Sequence, residues 1–195
     1  MIFNTVAKMK LAKLTAGQII STKGYYAAGD GGGASYLVAA SQTVDGYGDH
    51  ALAGGTVALL QAGASTDVRQ YGAVGDGVID ATVAVQAAID SSGRLIMFPA
   101  GTYLITSTVT IPSNRYLKGE GIGITTIAVN SSLALTDSVF KNQNIPVARV
   151  RQDENIRFSD MTFDGSGRTY IQYPTTGFAT RGFIITLSGV INPVI

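Results

Sequence analysis

Asp67-Val68-Arg69-Gln70-Tyr71-Gly72-Ala73-Val74-Gly75-Asp76-Gly77, with Asp80 three positions on, is the stretch from which the fold is read. Val68 and the run Tyr71 to Val74 are apolar and β-prone. Gly75-Asp76-Gly77 offers two glycines able to take positive φ around an Asp that can bond nearby backbone. The expected order is a strand, a sharp turn and a helix. Asp80 suits the N-cap, because its carboxylate can accept an orphan amide of the first turn at the positive end of the helix dipole. Ala81, Val85, Ala88 and Ile89 then form one apolar stripe at helical spacing, and Gly93 is placed to end the helix in the left-handed conformation.

From Arg94 onward the apolar period changes from 3.6 to 2. The segments are short: Leu95 to Phe98, Thr102 to Ile105, Val109 to Ile111, Tyr116 to Lys118, Thr125 to Val129, Val139-Phe140, Ile156 to Phe158 and Met161 to Phe163. Spaced by turn residues and without helical stretches between them, such segments suggest a sandwich, a barrel or a solenoid. A partial repeat favours the solenoid. Arg94-Leu95-Ile96 and Arg115-Tyr116-Leu117 stand 21 positions apart, and Asn155-Ile156-Arg157-Phe158 begins a third pass after a longer insertion. In stacked coils each rung buries its apolar residues on those of the next. The first rung would expose an open edge, and the amphipathic helix just before it is a natural cover.

The opening stretch, together with Ala87-Ala88-Ile89, Phe98-Pro99-Ala100-Gly101-Thr102-Tyr103, Leu117-Lys118-Gly119-Glu120-Gly121 and Thr125-Thr126-Ile127, resembles the start of the pectate-lyase-like right-handed β-helix of bacteriophage tailspikes. The match runs from about Asp67 to Gly165. The implied fold is mainly β: a small N-terminal β module, a capping helix and the first rungs of a right-handed parallel β-helix. Two units are expected, residues 1–66 and residues 67–195.

Residues 1–66 read as three or four short strands around Gln18 to Thr22, Tyr25-Tyr26, Tyr36 to Val38 and Val57 to Leu60, with Lys8, Lys10 and Lys13 alternating with Met9, Leu11 and Leu14. A unit of this size is marginal alone, which points to assembly. Leu14 to Gln18 and Gly24 to Ala34 resemble the module that attaches tailspikes to the phage particle, and Ala62 to Thr66 reads as a linker. The resemblance implies a homotrimer docked on phage tail or baseplate proteins through residues 1–66, made in the host cytoplasm and residing in the virion. It also implies host surface polysaccharide as the ligand of later rungs.

Composition narrows the chemistry. Charged residues make up 14% against a usual share of about 25%, and 24 glycines in 195 residues suit a turn-dense β architecture. A net charge of +1 and the absence of basic runs interleaved with aromatics argue against nucleic acid. No cysteine and a single His50 exclude disulfides and thiolate or histidine-cluster metal sites, so neither cofactor nor metal is expected. No stretch is long and apolar enough for a secretory leader or a membrane span, so a non-exported protein without membrane insertion is expected, and the Asn130-Ser131-Ser132 triplet is taken as chance. Gly189 to Ile195 has no polar capping pattern, so the chain is expected to be part of a longer protein.

Gly29-x-Gly31-x-x-Ala34 and Gly119-x-Gly121-x-Gly123 formally resemble nucleotide-binding loops, but both lack the required flanking context and read better as tight turns. Glycan hydrolysis uses two carboxylates, and lyase chemistry a base with a charge stabiliser. Asp160 and Asp164 are the catalytic candidates: on one strand they would share a side, with Arg157 near. The plainer reading makes both turn residues, with Asp76 and Asp80 as turn and cap and Asp153-Glu154 in a solvated loop. Tyr25, Tyr26, Tyr36 and Tyr47 read as core or interface, and His50 as solvated. The expected function is an anchoring segment that attaches a trimeric receptor-binding or depolymerase protein to the virion and nucleates its β-helix. The alternatives are a polysaccharide lyase or glycosidase and a non-catalytic glycan-binding adaptor.

Overall fold

The computed structural model describes residues 1–129, 138–143, 153–165, 185–186 and 190–191. Asn130-Ser131-Ser132 and the terminal Asn192 to Ile195 lie outside them. The chain opens with β1 (Ile2–Phe3) and a short helix α1 (Val6–Lys10), followed by β2 (Ile19–Thr22), β3 (Ser35–Ala39), β4 (His50–Ala51) and β5 (Val57–Leu60). These strands form one sheet in the order β1-β2-β3-β5-β4, parallel at β1-β2 and antiparallel elsewhere. The alternation expected for residues 8–14 is instead helical at its start, because the Thr5 hydroxyl accepts the Lys8 amide and turns Val6 and Met9 onto the sheet. Ile20, Tyr36, Val38, Leu52 and Ala58 complete a core of the module's own.

The loop between β2 and β3 is organised by Asp30. Its carboxylate accepts the amides of Tyr25, Tyr26, Ala27 and Gly32 at 2.8–3.0 Å, while Gly29 and Gly31 take positive φ. Desolvation pushes this carboxyl up, and the four amides outweigh it and hold it below the usual carboxylate range. The loop amides that a phosphate would need are therefore taken by the chain itself, in keeping with a tight turn.

Beyond the module the strands are β6 (Ser65–Asp67), β7 (Asp76–Asp80), β8 (Leu95–Phe98), β9 (Gly101–Ile105), β10 (Val109–Ile111), β11 (Tyr116–Gly119), β12 (Thr125–Val129), β13 (Phe140–Asn142), β14 (Asp153–Glu154), β15 (Arg157–Ser159), β16 (Thr162–Asp164), β17 (Ile185–Thr186) and β18 (Val190–Ile191), with helix α2 (Thr82–Asp90) between β7 and β8. All pair in parallel, in columns: β6-β8-β11-β15, β7-β9-β12-β16, β10-β13-β17 and β14-β18. Successive passes stack one on the next, which is a parallel β-helix. Leu95 pairs with Tyr116 and Tyr116 with Arg157, so the 21-residue repeat and the third pass read from the sequence are the real register.

Inward residues fill the coil as alternation requires. Ile96, Leu117 and Phe158 stack in the first column and Tyr103, Ile127 and Phe163 in the second. Phe140, Phe158 and Phe163 meet edge to face with centroids 5.5–6.1 Å apart. At the corner before β11 and β15, Asn114 and Asn155 both take positive φ and stack, Asn155 Nδ2 donating to Asn114 Oδ1 at 2.9 Å.

Several local expectations are corrected. Ser65 and Thr66, expected in a linker, belong to β6. Val68–Tyr71 is a 3-10 turn and not a strand, because the Asp67 carboxylate accepts the Arg69 amide and side chain and Gly72, at φ 90°, stops the turn. Asp76 makes the expected local turn with the amides of Val78 and Ile79, yet it does so inside β7 as a bulge, with Gly77 at φ 74°. Gly93 is not left-handed. A Cβ there would collide with Thr66 Oγ1, so close packing against the preceding rung is what requires glycine.

Asp80 accepts the Thr82 amide at 2.9 Å as expected, although Ala81 occupies the formal cap position. The apolar stripe Ala81, Val85, Ala88 and Ile89 is fully buried over the first rung. Helix α2 also takes the place of a missing strand beside β10, with Gln86 bonding the backbone of Thr110. Arg115 Nε and Nη2 in turn donate to the carbonyls of Ile89 and Ser91 at the C-terminal end of the helix.

Candidate functional site

The outer face of the column β6-β8-β11-β15 carries a linked polar array. Parallel register sets Tyr116 beside Arg157 and Lys118 beside Ser159. The Tyr116 hydroxyl and Ser159 Oγ lie 2.7 Å apart, Ser159 Oγ donates to Asp160 Oδ2 at 2.8 Å, and Lys118 Nζ stands 3.8 Å from the same oxygen. The Arg157 guanidinium lies 4.9 Å from the centroid of the Tyr116 ring. The result is a continuous chain of phenol, hydroxyl, carboxylate and ammonium on an exposed surface, able to hold a polar ligand and to pass a proton between neighbours.

Asp160 lies in the turn after β15 at φ 57°, and Asp164 ends β16 in the next column. Asp160 stands outside both strands, in the turn between them, while Asp164 is within β16, so they do not share one side of a strand. Asp160 joins Lys118 and Ser159; Asp164 belongs to a different face. Sequence reasoning missed Tyr116, Lys118 and Ser159 here. The repeat spacing held the signal, since Tyr116 and Arg157 occupy equivalent places 41 positions apart.

Asp153 is also corrected. It is buried, not solvated, with Ser113 Oγ donating to Oδ1 and Asn142 Nδ2 to Oδ2, both at 3.0 Å. Glu154 beside it is exposed. In the module, His50 is likewise buried, its ring 5.8 Å from Tyr25 and 5.9 Å from Tyr36. Burial pushes its imidazole down to about 4, with Lys10 acting in the same direction. Tyr36 is fully buried, and burial lifts its phenol to about 12; Tyr26 and Tyr47 are exposed.

The N-terminal sheet and the coil meet directly. Tyr26 donates its hydroxyl to the Gly72 carbonyl at 3.1 Å, Gln70 Nε2 donates to the Gly33 carbonyl at 3.3 Å, and Leu60 packs against both cores. A cleft of about 560 Å³ runs along this junction, walled by Asp45, Tyr47, Tyr71, Val83, Gln86 and Asp90.

The stacked parallel columns under a capping helix are matched in sequence: residues 65–187 fit the family described as rhamnogalacturonase A/epimerase, pectate lyase-like. The chain belongs to this family. Among relatives of this pectate lyase-like chain, the pre-neck appendage protein of Bacillus phage B103 is 38% identical over 108 residues, covering 55% of this chain and 12% of that protein. Mannuronan C5-epimerase AlgE3 of Azotobacter vinelandii is 34% identical over 113 residues, 51% of this chain and 6% of the enzyme. The tailspike gp49 of Acinetobacter baumannii bacteriophage Fri1, a capsular polysaccharide depolymerase, superposes with a TM-score of 0.72 at 19% identity, covering 99% of this chain and 37% of that one. The pectate lyase-like chain thus spans about an eighth of the phage appendage protein it matches, and its fold, module included, is that of a tailspike.

Proposed function

We propose that this chain is the particle-proximal part of a phage tail appendage: residues 1–66 attach to tail or baseplate proteins, and the β-helix they cap leads to rungs directed at host surface polysaccharide. The observation that carries the reading is the junction. A separate β module with its own core is bonded to the opening of a pectate lyase-like helix through Tyr26, Gln70 and Leu60. A tailspike that shares this arrangement over 99% of the chain supports it, as does the relationship to phage appendage proteins. The appendage assembles as a homotrimer in this reading, in the virion.

The test is binding of the purified chain to particles of the encoding phage stripped of their appendages. Co-sedimentation is expected, and it should be lost when exposed residues of the module are substituted with the β-helix left intact. Failure of the unaltered chain to bind stripped particles overturns the reading.

A second reading, in which the whole protein cleaves or modifies a polysaccharide, draws support from the row Tyr116, Ser159 and Asp160, hydrogen-bonded in sequence with Lys118 ion-paired at its end, and from relatives that are named epimerases. Turnover of host polysaccharide by this chain alone would place the activity within its own rungs.

A further inference from the structure

The cleft of about 560 Å³ between the Asp45–Asp49 loop and helix α2 is lined by the carboxylates of Asp45, Asp49 and Asp90, and no cation is among its lining residues. Their partners are neutral. Asp45 accepts the amides of Tyr47 and Asp49 at 2.9 and 2.8 Å, Asp49 accepts the Leu60 amide at 2.7 Å, and Asp90 accepts Gln86 Nε2 at 3.0 Å. Among the described residues the ion pairs are Arg69 with Asp67 and Lys118 with Asp160, so the negative charge of the cleft is uncompensated. Burial pushes the Asp49 carboxyl up, and the charge of Asp45 adds to this against the Leu60 amide. A cation entering the cleft relieves that repulsion. The walls are not only acidic: Tyr47, Tyr71 and the exposed Val83 give them apolar surface.

The chain carries the complement of this cleft on another surface. Residues 1–29 hold Lys8, Lys10, Lys13 and Lys23 and no carboxylate, whereas residues 30–93 hold aspartates against a single cation, Arg69, already paired with Asp67. Charge is thus segregated along the chain. Lys8, Lys10 and Lys13 are exposed on and just after α1, in no ion pair, and Leu11 among them is 71% exposed. Helix α1 is fixed in its own chain by burial of Val6 and Met9 and by the Lys10 carbonyl, which accepts the Ala53 amide at 2.9 Å. It therefore presents a rigid basic and apolar surface that its own cleft does not use. Complementary potentials of this kind steer and orient association.

We propose that the cleft of each copy receives α1 of a neighbouring copy, the partner's Lys8, Lys10 and Lys13 set among Asp45, Asp49 and Asp90 and the partner's Leu11 against Val83. The two surfaces are different patches of one chain, so the contact is head-to-tail and closes into a ring. It rests on the appendage reading only for the number of copies. The test is sedimentation velocity of the full chain over a salt series. The parent is expected to self-associate at micromolar concentration and to weaken with added salt. Lys8→Glu with Lys10→Glu should weaken association on the order of tenfold, while Lys23→Glu leaves it unchanged. A chain that also carries Asp45→Lys and Asp90→Lys should recover the parental association, a rescue that loss of folding cannot produce. Association that ignores salt or the α1 substitutions overturns this contact and leaves the trimer standing. A combined chain that stays folded and dissociated overturns it as well. So does a lowered thermal midpoint at unchanged mass, which would put the lysine pairing within one chain. A parent that remains a monomer overturns the contact and the trimer together, and binding to stripped particles still reads attachment separately.

Discussion

Gln86 on α2 holds both backbone groups of Thr110 on β10: its Nε2 donates to the Thr110 carbonyl at 3.0 Å, and its Oε1 accepts the Thr110 amide at 2.8 Å. A side-chain amide thus supplies the donor and acceptor that a neighbouring strand would have supplied, and the open edge of the column is closed by a helix. Gln86→Ala leaves two backbone groups without partners and should cost about 1–3 kcal/mol, seen as a lower denaturation midpoint at unchanged slope. A variant as stable as the parent would mean that water serves Thr110 equally well and that α2 covers the rung by packing alone.

Asp80 ties the start of α2 to the next pass, accepting from the Thr82 amide, the Thr82 hydroxyl and the Thr106 hydroxyl. Burial pushes its carboxyl up, and these bonds outweigh burial and hold it below the usual range. A carboxyl so depressed contributes stability above its unfolded value and loses that contribution as pH falls through its folded value. Asp80→Ala should therefore cost about 1 kcal/mol at neutral pH, and the difference from the parent should close in strong acid. A difference that stays constant with pH would assign the effect to packing.

His50 gives the opposite group type with the same outcome in acid. Its imidazole titrates at about 4 in the folded chain against an ordinary value of 6.5, so between these limits the unfolded state binds more protons. Stability is complete above the ordinary value and falls as pH drops toward the folded one, by about 3 kcal/mol at the limit. His50→Phe, which keeps a ring between Tyr25 and Tyr36, should flatten this slope in pH-dependent denaturation. An unchanged slope would place the acid sensitivity elsewhere.

On the anchoring reading, and against the enzymatic one that the row at Asp160 supports, Asp160 and Asp164 are expected to be dispensable for any polysaccharide cleavage by a longer form. Asp160 holds a left-handed turn that Asn adopts as readily, and Asp164 closes a strand on another face. Removing an essential acid or base typically costs about a hundredfold or more in rate. A loss of that size in Asp160→Asn or Asp164→Asn, with the fold intact, would make that residue part of the reaction.

What the sequence disclosed and what it concealed follow from the range of the forces. The 21-residue repeat was legible because inward Ile96 and Leu117 must stack, and stacking is periodic. The stripe on α2 was legible for the same reason. The β-prone residues of Val68–Tyr71 are overridden by the Asp67 carboxylate and Gly72, a local capture that propensity does not see. Gly93 looked like a helix stop because its actual constraint, Thr66 on the preceding pass, lies 27 positions away in the chain. Polarity alone makes Asp153 and His50 read as solvated. Their burial depends on Asn142 and Ser113 in one case and two tyrosine rings in the other, partners that only the fold brings together.

Exposed apolar side chains point to self-assembly of the chain. The bulge in β7, where the register shifts between Asp76 and Asp80, turns Val78 and Ile79 outward, and Val78 is 77% exposed. The turn between β11 and β12 carries Ile122, 83% exposed, and Ile124. Ile2, Leu11 and Ile19 are exposed on the module as well. Several large apolar side chains left exposed offer surface for a partner to cover. A second copy of the chain is the simplest partner, and the appendage reading proposed above predicts three copies where cyclic symmetry alone would also permit two. Light scattering should give a mass near three times 20.3 kDa, with much of the contact before Asp67. Val78→Asp and Ile122→Asp together should shift the mass downward while circular dichroism stays that of a folded β protein. A monodisperse monomer of the unaltered chain at micromolar concentration would overturn the assembly, and a trimer indifferent to both substitutions would move the interface to the module alone.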